Sequence, residues 1–267
     1  MLGAVLGDII GSFYEWHNVK TKDFPLVTKG TKYTDDTVMT LAVAKWLIED
    51  VAHSEDELVR CMQELGRAHI MAGYGSNFIR WIMSEYPRPY GSWGNGSAMR
   101  VSPVGLFSKS EAEVFRLARI TANVTHNHPE GVKGAEAVAL AVYLNKYYAS
   151  MPLEYRKDIT KNRLESLFDY NLRRTLDEIR PTYQFDVSCQ GSVPEAIIAY
   201  LESKSIEDCI RNAISIGGDS DTIAAIANSI FMAGEDSQKE ENGWIYTFEK
   251  YLSSDLKLIM KEFECKI

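Results

Sequence analysis

The spacing of apolar residues along the chain predicts a protein built from α-helices. Apolar side chains recur three or four positions apart, which is the period of a helix with one buried face. The segments with this spacing are Val38–Leu47, Glu57–Ile70, Phe78–Met83, Glu111–Ala122, Gly131–Tyr148, Leu164–Ile179, Val193–Leu201, Ile206–Ile214, Thr222–Ala233 and Trp244–Phe263. No segment alternates β-branched residues between hairpin turns, the pattern that indicates a sheet. We therefore expect an all-α fold.

Residues that favour helix starts precede several of these segments. Thr34 stands before one helix, and Ser110 and Ser205 stand before two others with an acidic residue three positions later. The polar segment between Trp16 and Tyr33 fits no helix, and a loop of that length is typical of a functional lid. No linker rich in Pro, Gly or Ser divides the chain, so we expect one compact domain over residues 1–267.

Two of the predicted helices begin with similar sets of oxygen-bearing side chains, in "YTDDT" at Tyr33 and in "GGDSDT" at Gly217. Carboxylate and hydroxyl oxygens suit hard cations such as Mg²⁺, Mn²⁺ or Ca²⁺. Brought together, the two sets could hold two metal ions that share carboxylates. The candidate ligands are Thr34, Asp35, Asp36, Asp219, Asp221 and Thr222. The alternative is that each set only caps its helix.

Two glycine-rich loops, Gly73–Phe78 and Gly91–Arg100, lead into predicted helices. Glycines allow successive backbone N–H groups to converge on an anion, and a helix start adds a favourable dipole. A diphosphate is therefore a candidate ligand, and Trp93 offers a face on which a purine could stack. The alternative is that these loops are only turns.

The segment "THNHPEG" contains two histidines just before a helix. His126 is a candidate hydrogen-bond donor to a ribose hydroxyl or a phosphate, whereas Pro129 in the first turn favours a capping role for His128 or Asn127. Arg100 could contact phosphate or pair on a helix surface. For Asp8 the simpler interpretation is a buried group that bonds backbone N–H groups, and the alternative is an acceptor that orients a metal ligand.

Composition and charge narrow the class of protein. The chain has 267 residues, of which 45% are hydrophobic, so it can bury a sizeable core. A net charge of −8 argues against electrostatic nucleic-acid binding. The four cysteines are scattered, so the sequence predicts neither a zinc site nor a disulfide framework. We therefore expect a reduced, cytoplasmic compartment. The N-terminal apolar run contains Asp8 and lacks an early basic residue, so we do not interpret it as a signal peptide, and we expect no membrane span.

In this order, "GAVLGDIIGSFYE", "YTDDT", "GYGSNF", "GNGSAMR", "THNHP" and "GGDSDTIA" resemble the motifs of the ADP-ribosylglycohydrolase family. The resemblance implies a single domain of orthogonal helices and a magnesium-dependent hydrolase that removes ADP-ribose from modified acceptors. It is closest to the ADP-ribosyl-acceptor hydrolase 3 type, which acts on O-linked ADP-ribose such as ADP-ribosyl-serine, poly(ADP-ribose) and O-acetyl-ADP-ribose. The dinitrogenase reductase-activating relatives act on arginine-linked ADP-ribose instead.

The resemblance also assigns roles to residues. It makes the six oxygen ligands a site for two Mg²⁺ ions, with Mn²⁺ as the alternative, and it makes Glu15 a mobile glutamate on the following flap. The expected catalytic residues are Glu15, Asp35 and Asp36. The expected substrate-binding residues are Gly73, Gly75, Ser76, Ser92, Trp93, Gly94, Asn95, Gly96 and His126. A shorter segment between the glycine loops and the "THNHP" sequence depart from the hydrolase 3 type and leave the acceptor open.

The chemistry that fits is metal-assisted hydrolysis of an N- or O-glycosidic bond through an oxocarbenium-like transition state. Asp36 or Glu15 could accept the proton. The expected partner is an ADP-ribosylated protein or small molecule, and a monomer is the default oligomeric state. Two alternatives remain: a non-catalytic member of the fold that binds ADP-ribose or a protein, and a two-metal nucleotide phosphohydrolase.

Overall fold

The computed structural model describes residues 1–235 and 247–267, and its regular structure is helical. The α-helices, numbered along the chain, are α1 Leu2–Gly11, α2 Asp35–Glu49, α3 Glu55–Ala68, α4 Ser76–Met83, α5 Gly96–Met99, α6 Ser102–Phe107, α7 Glu111–Asn123, α8 Pro129–Tyr147, α9 Leu153–Phe168, α10 Leu176–Ile179, α11 Cys189–Glu202, α12 Ile206–Ser215, α13 Ser220–Ala233 and α14 Ser254–Glu264. Within the described residues, β-type pairing is limited to an isolated bridge between Gly94 and Ser188. The all-α prediction is therefore confirmed.

Helices α8 and α13 form the centre of the core. Most residues of both helices are buried, and α13 packs against α1, α8, α11 and α12. A helix that is apolar on nearly every side can be stable only when neighbours surround it. The start of α13 carries an acidic set, so the central packing also fixes where that set lies.

Helices α1 and α13 approach one another closely because glycines lie between them. A Cβ atom on Gly7 would lie 2.3 Å from the carbonyl oxygen of Ala224, and one on Gly11 would lie 2.5 Å from the Cα of Asp221. Only a residue without a side chain fits at these distances. The backbone of α1 therefore lies directly against the first turns of α13.

Most predicted helices are present with shifted ends, and the predicted caps are confirmed. The side chain of Thr34 accepts a hydrogen bond from the N–H of Asp36, and Ser110 and Ser205 accept bonds from the residues three positions later. The side chain of His128 caps α8 by accepting a bond from Glu130. Short polar side chains favour this role because the first N–H groups of a helix lack intrahelical partners.

Two predicted helices are wrong in part. The segment Leu164–Ile179 is not one helix, because α9 ends where Asp169 adopts a left-handed conformation with φ of 54°. A turn follows, and α10 begins only at Leu176. The segment Trp244–Phe263 begins outside the described residues, and within them a 3₁₀ turn over residues 247–251 precedes α14.

Within the described parts of the chain, no helix combines the length and the apolar character that a membrane crossing requires.

Candidate functional site

The two acidic helix starts meet at one end of a cavity of about 520 Å³. The hydroxyl of Thr222 in α13 donates a hydrogen bond of 3.1 Å to Oδ2 of Asp36 in α2. Gly217 and Gly218 have φ values of 73° and 78°, and this left-handed turn leads the chain into α13. All six predicted oxygen ligands line the cavity. The tertiary prediction that the two sets lie together is therefore confirmed as geometry.

Asp8 of α1 anchors the start of α2. Its carboxylate accepts bonds from the N–H and hydroxyl of Thr34, at 2.9 and 2.7 Å, and from the N–H of Thr37 at 3.1 Å. The hydroxyl of Thr37 donates a further bond to the same carboxylate. Asp8 thus bonds backbone N–H groups, as predicted, and it also orients the side chain of Thr34.

Glu15 reaches the acidic cluster from the loop that follows α1. Carboxylate oxygens of Glu15, Asp219 and Asp221 all lie within 4.8 Å of one another. The same loop is attached to the segment before α13: the side-chain amide of Asn18 donates to the carbonyl of Gly218 at 3.0 Å and accepts from its N–H at 2.7 Å. The loop therefore holds Glu15 beside α13 in this structure.

The acidic end is crowded with negative charge. Burial is the main cause that raises the pKa of Glu15 to about 7 and that of Asp35 to about 8, and the charge of Asp221 adds to both shifts. Burial also raises the pKa of Asp36 and Asp221 well above the usual range and that of Asp219 to about 6. Carboxylates so close together resist simultaneous ionisation unless positive charge is added.

The donor set fits hard divalent cations. One oxygen each of Asp36 and Asp221, Oδ1 in both cases, is buried without a hydrogen-bond partner among the residues that the structure describes. Buried carboxylate oxygens normally have partners, so these two are free to coordinate a cation. In addition, the side chain of Asp219 caps no N–H of α13 and instead accepts a bond from Asn95 at 2.7 Å. Helix capping alone therefore does not explain this set.

Both glycine-rich loops line another part of the cavity. Gly73 has φ of 112°, and Gly75 precedes the first residue of α4. The loop before α5 is held by the start of α11, because the N–H of Asn95 donates to the carbonyl of Val187 at 2.7 Å. The Asn95 amide also donates to Ser192 at 3.1 Å, in addition to its bond with Asp219. Asn95 thus connects the glycine-rich part of the wall to the acidic part.

The structure places every predicted site residue in the cavity wall except Trp93. The Trp93 side chain is 54% exposed and lies edge-on to His128, with ring centroids 5.5 Å apart. Tyr90, which is half-buried, lines the cavity and lies 5.9 Å from the ring of His126. Stacking of a purine on Trp93 stays a prediction, and Tyr90 is a second aromatic surface for it.

Sequence reasoning missed several wall residues. They are Ser12, Trp16, Lys32, Ala72, Asn77, Phe78, Tyr90, Met99 and Val187. Most stand within a few positions of a motif, so proximity to the motifs was the available signal. Val187 gave none, because the packing of α11 against the loop before α5 brings it to the cavity.

Arg100 also lies in the wall but is not paired on a helix surface. It is 1% exposed, and its guanidinium donates to the carbonyl of Thr121 at 2.6 Å and to the hydroxyl of Thr125 at 2.8 Å. The surface-pairing alternative is therefore wrong.

Comparisons with known proteins find relatives that match this chain over nearly its whole length. Human ADP-ribosylhydrolase ARH3 is 27% identical over 329 residues, covering 96% of this chain and 90% of the human protein. The ADP-ribosyl-dinitrogen reductase glycohydrolase of Rhodospirillum rubrum is 23% identical over 279 residues, covering 96% of this chain and 91% of that protein. A solved structure described as an ADP-ribosylglycohydrolase-related protein complex matches with a TM-score of 0.72 at 19% identity, over 100% of this chain and 97% of its own, and shows the shared fold. A model of the ADP-ribosylglycohydrolase family matches residues 1–233, so this protein belongs to that family.

Proposed function

We propose that this protein is a Mg²⁺-dependent glycohydrolase that releases ADP-ribose from a modified acceptor, with its site in a single domain over residues 1–267. The observation that supports this most is the meeting of two acidic helix starts, with partnerless buried oxygens, in a cavity that also has glycine-rich walls. An acidic end suits cations and sugar hydroxyls, and backbone N–H groups suit phosphates. ADP-ribose carries both a ribose and a diphosphate.

The metal ligands would be Thr34, Asp35, Asp36, Asp219, Asp221 and Thr222. Two Mg²⁺ ions, or Mn²⁺ in their place, would supply Lewis acidity toward the distal ribose and a water molecule. Asp8 would support this site by holding the Thr34 side chain through its two bonds to that residue.

The chain's own carboxylates perform the remaining steps in this proposal. Glu15 or Asp36 accepts the proton of the attacking water; a pKa of about 7 suits Glu15 to exchange a proton near neutral pH. The transition state of glycoside hydrolysis carries positive charge on the sugar, and the neighbouring carboxylates stabilise that charge.

The remaining wall residues bind the rest of the substrate. Gly73, Gly75 and Ser76 lie at the start of α4, where first-turn N–H groups can donate to a diphosphate. The second loop contributes Ser92, Gly94, Asn95 and Gly96, and His126 adds an imidazole beside it. Trp93 or Tyr90 offers a stacking surface for adenine.

An O-linked acceptor is preferred in this proposal over an arginine-linked one. The motifs resemble the hydrolase 3 type, for which the resemblance implies O-linked substrates. The relative named ARH3 is also 27% identical to this chain, whereas the dinitrogen reductase glycohydrolase is 23% identical, each over 96% of the chain. The substrate is therefore proposed to be ADP-ribosyl-serine, poly(ADP-ribose) or O-acetyl-ADP-ribose.

A panel of defined substrates tests the proposal. Serine-linked, arginine-linked, acetyl-linked and polymeric ADP-ribose are incubated with the protein in Mg²⁺ and in chelator, and free ADP-ribose is measured. Release from an O-linked substrate in Mg²⁺ alone is expected. Saturable ADP-ribose binding without release from any linkage would favour a non-catalytic binding protein. Phosphate release from nucleotides would favour a phosphohydrolase.

Two variants connect the activity to the acidic end. Asp35→Ala and Asp221→Ala are each expected to lower Mg²⁺-dependent release by at least about 100-fold, because each removes a metal ligand. Their helical circular dichroism should match that of the parent protein. Asp158→Ala, an exposed residue of α9, is the control and should retain full turnover. Parent-like turnover in both site variants would contradict a metal-centre mechanism.

A further inference from the structure

Three buried side chains, two of which line the cavity, form a hydrogen-bonded row at the glycine-rich wall. The guanidinium of Arg100 donates to the hydroxyl of Thr125 at 2.8 Å, and that hydroxyl lies 2.7 Å from Nδ1 of His126. Arg100 is 1% exposed, Thr125 0% and His126 6%. Among the residues that the structure describes, no carboxylate pairs with Arg100; its Nε has no hydrogen-bond partner, and its guanidinium lies 5.9 Å from the centroid of the Phe78 ring.

The hydrogen-bonding capacities of these groups decide which atom donates. A guanidinium can only donate, so Thr125 accepts from Arg100 and keeps one hydroxyl hydrogen to give. Nδ1 of His126 is the acceptor available to that hydrogen among the described contacts. If Nδ1 carried its own hydrogen, the hydroxyl hydrogen of Thr125 would be buried without an acceptor, which is costly.

We propose that Arg100 and Thr125 are positioning residues that fix the proton of His126 on Nε2, so that the cavity receives a neutral imidazole N–H donor. Burial and the neighbouring charge of Arg100 lower the pKa of His126 well below its ordinary value, in agreement with a neutral ring. The chain therefore uses a cation without a carboxylate partner to select one tautomer of a histidine.

The position of Nε2 indicates what it binds. A Cβ atom on Gly96 would lie 3.1 Å from Nε2, and one on Gly94 would lie 3.6 Å from it, so this nitrogen lies against the glycine-rich turn that lines the cavity. A neutral N–H donor there suits a phosphate or hydroxyl oxygen, whereas the other tautomer would present a lone pair to it. Identifying that oxygen as part of ADP-ribose rests on the proposed function.

The first test reads the tautomer directly. Long-range ¹H–¹⁵N spectra of the histidine side chains are recorded on the parent protein, with His126→Gln to assign the signal. The parent and Thr125→Ser are expected to show the Nε2–H tautomer. Thr125→Val keeps the shape of the side chain but not its hydroxyl, and should lose that preference. A parent signal from the Nδ1–H tautomer or from imidazolium would overturn the proposal.

The second test measures binding of ADP-ribose by calorimetry. Thr125→Val is expected to weaken binding by about tenfold, roughly the loss of one hydrogen bond to a charged group, and Thr125→Ser by less than about twofold. In turnover assays Thr125→Val should raise KM and leave kcat nearly unchanged. Equal effects of the valine and serine variants would show that the hydroxyl is not involved.

Thr121→Val is the matched control. Thr121 is also buried, but its hydroxyl donates to the carbonyl of Ala118 and takes no part in the row. This variant loses a buried hydroxyl of the same kind and should bind ADP-ribose as the parent protein does. If the parent protein itself binds no ADP-ribose, the proposed function fails, while the spectra still decide whether Arg100 and Thr125 fix the tautomer.

Discussion

The acidic and the glycine-rich parts of the cavity wall differ in their charge and in which of their buried polar groups lack a partner in the protein. In the acidic part, Asp36 and Asp221 each keep a buried oxygen without a partner in the described structure, and burial raises the pKa of both. In the glycine-rich part, the polar groups Asn95 and Thr125 have partners in Ser192 and His126, and the buried atoms without a partner in the described structure are donors, Nε of Arg100 and the hydroxyl of Tyr74. The acidic part needs added positive charge, whereas the glycine-rich part already contains the guanidinium of Arg100.

This difference separates two kinds of binding. In the proposed function cations complete the acidic part, and their binding should change its stability and its protonation. A ligand in the glycine-rich part replaces water on groups that are already positioned, so its binding should have little effect on the fold. Substitutions there should change the affinity for that ligand. Substitutions in the acidic part should therefore change stability and its pH dependence, whereas substitutions in the glycine-rich part should change substrate affinity.

Replacing Asp8 gives the largest expected effect on stability. Asp8→Asn keeps the shape of the side chain but turns an NH₂ group toward donors of Thr34 or Thr37, so buried donors lose their acceptor. We expect the free energy of unfolding to fall by about 2–4 kcal/mol, measured by urea denaturation.

Asp158→Asn, on the exposed face of α9, is the control for Asp8→Asn and should change stability by less than about 0.5 kcal/mol. An Asp8→Asn protein as stable as the parent would show that these bonds do not hold the acidic part together.

Mg²⁺ should stabilise the protein more at high pH than at low pH. Because burial raises the pKa of the acidic groups, the folded metal-free protein keeps protons that the unfolded chain has released, and these groups lower its stability as the pH rises from about 5 to 8. Mg²⁺ binds the ionised form and opposes this loss. At pH 8, with Mg²⁺ at about a hundredfold excess over its Kd, we expect the free energy of unfolding to rise by about 2.7 kcal/mol. This corresponds to a rise in Tm of about 5–10 °C.

The measurement is thermal unfolding in Mg²⁺ and in chelator at pH 5.5 and pH 8. Burial lowers the pKa of the Met1 amine to about 5, which acts in the opposite direction, but it titrates in both samples and cancels in the difference. A Mg²⁺-induced change in Tm that is equal at both pH values would contradict an acidic part completed by cations.

Trp93→Ala is expected to have the smallest effect. Its ring is 54% exposed, so stacking of adenine on it should contribute only about 1 kcal/mol, equivalent to about a fivefold rise in KM with unchanged kcat. Initial rates on the O-linked substrate measure this. A larger rise in KM for Tyr90→Ala, with none for Trp93→Ala, would show that adenine stacks on Tyr90.

The sequence predicts the helices better than their ends. Caps such as Thr34 and Ser205 are local, because a side chain bonds an N–H two or three positions away, and those predictions are confirmed. The break inside Leu164–Ile179 depends on Asp169, whose left-handed conformation ends α9 although apolar residues continue beyond it. Residues other than glycine rarely adopt that conformation, so the pattern carries no signal for it.

For the site, the motifs predict the wall residues that lie within them. They miss wall residues that tertiary packing brings to the cavity. The acidic sets were predicted to meet because their oxygens suit shared cations, and they do meet at Thr222 and Asp36. Val187 lines the cavity only because α11 packs beside the loop before α5, and no short-range pattern encodes that contact. Tyr90 lines the cavity and Trp93 does not, and the motif alone does not distinguish these two aromatic residues.

The glycine contact between α1 and α13 has a consequence for how this family of sites can vary. Gly11 lies against the Cα of Asp221 in α13, and Asp8 of the same helix α1 bonds Thr34 at the start of α2, so the backbone of α1 positions both acidic helix starts. Rotamer changes cannot alter the spacing of α1 and α13 at Gly11, because no side chain separates the two backbones there. In the proposed metal site, a change in the spacing of the two helix backbones, and with it in the preferred radius of a cation, would therefore require α1 to shift against α13.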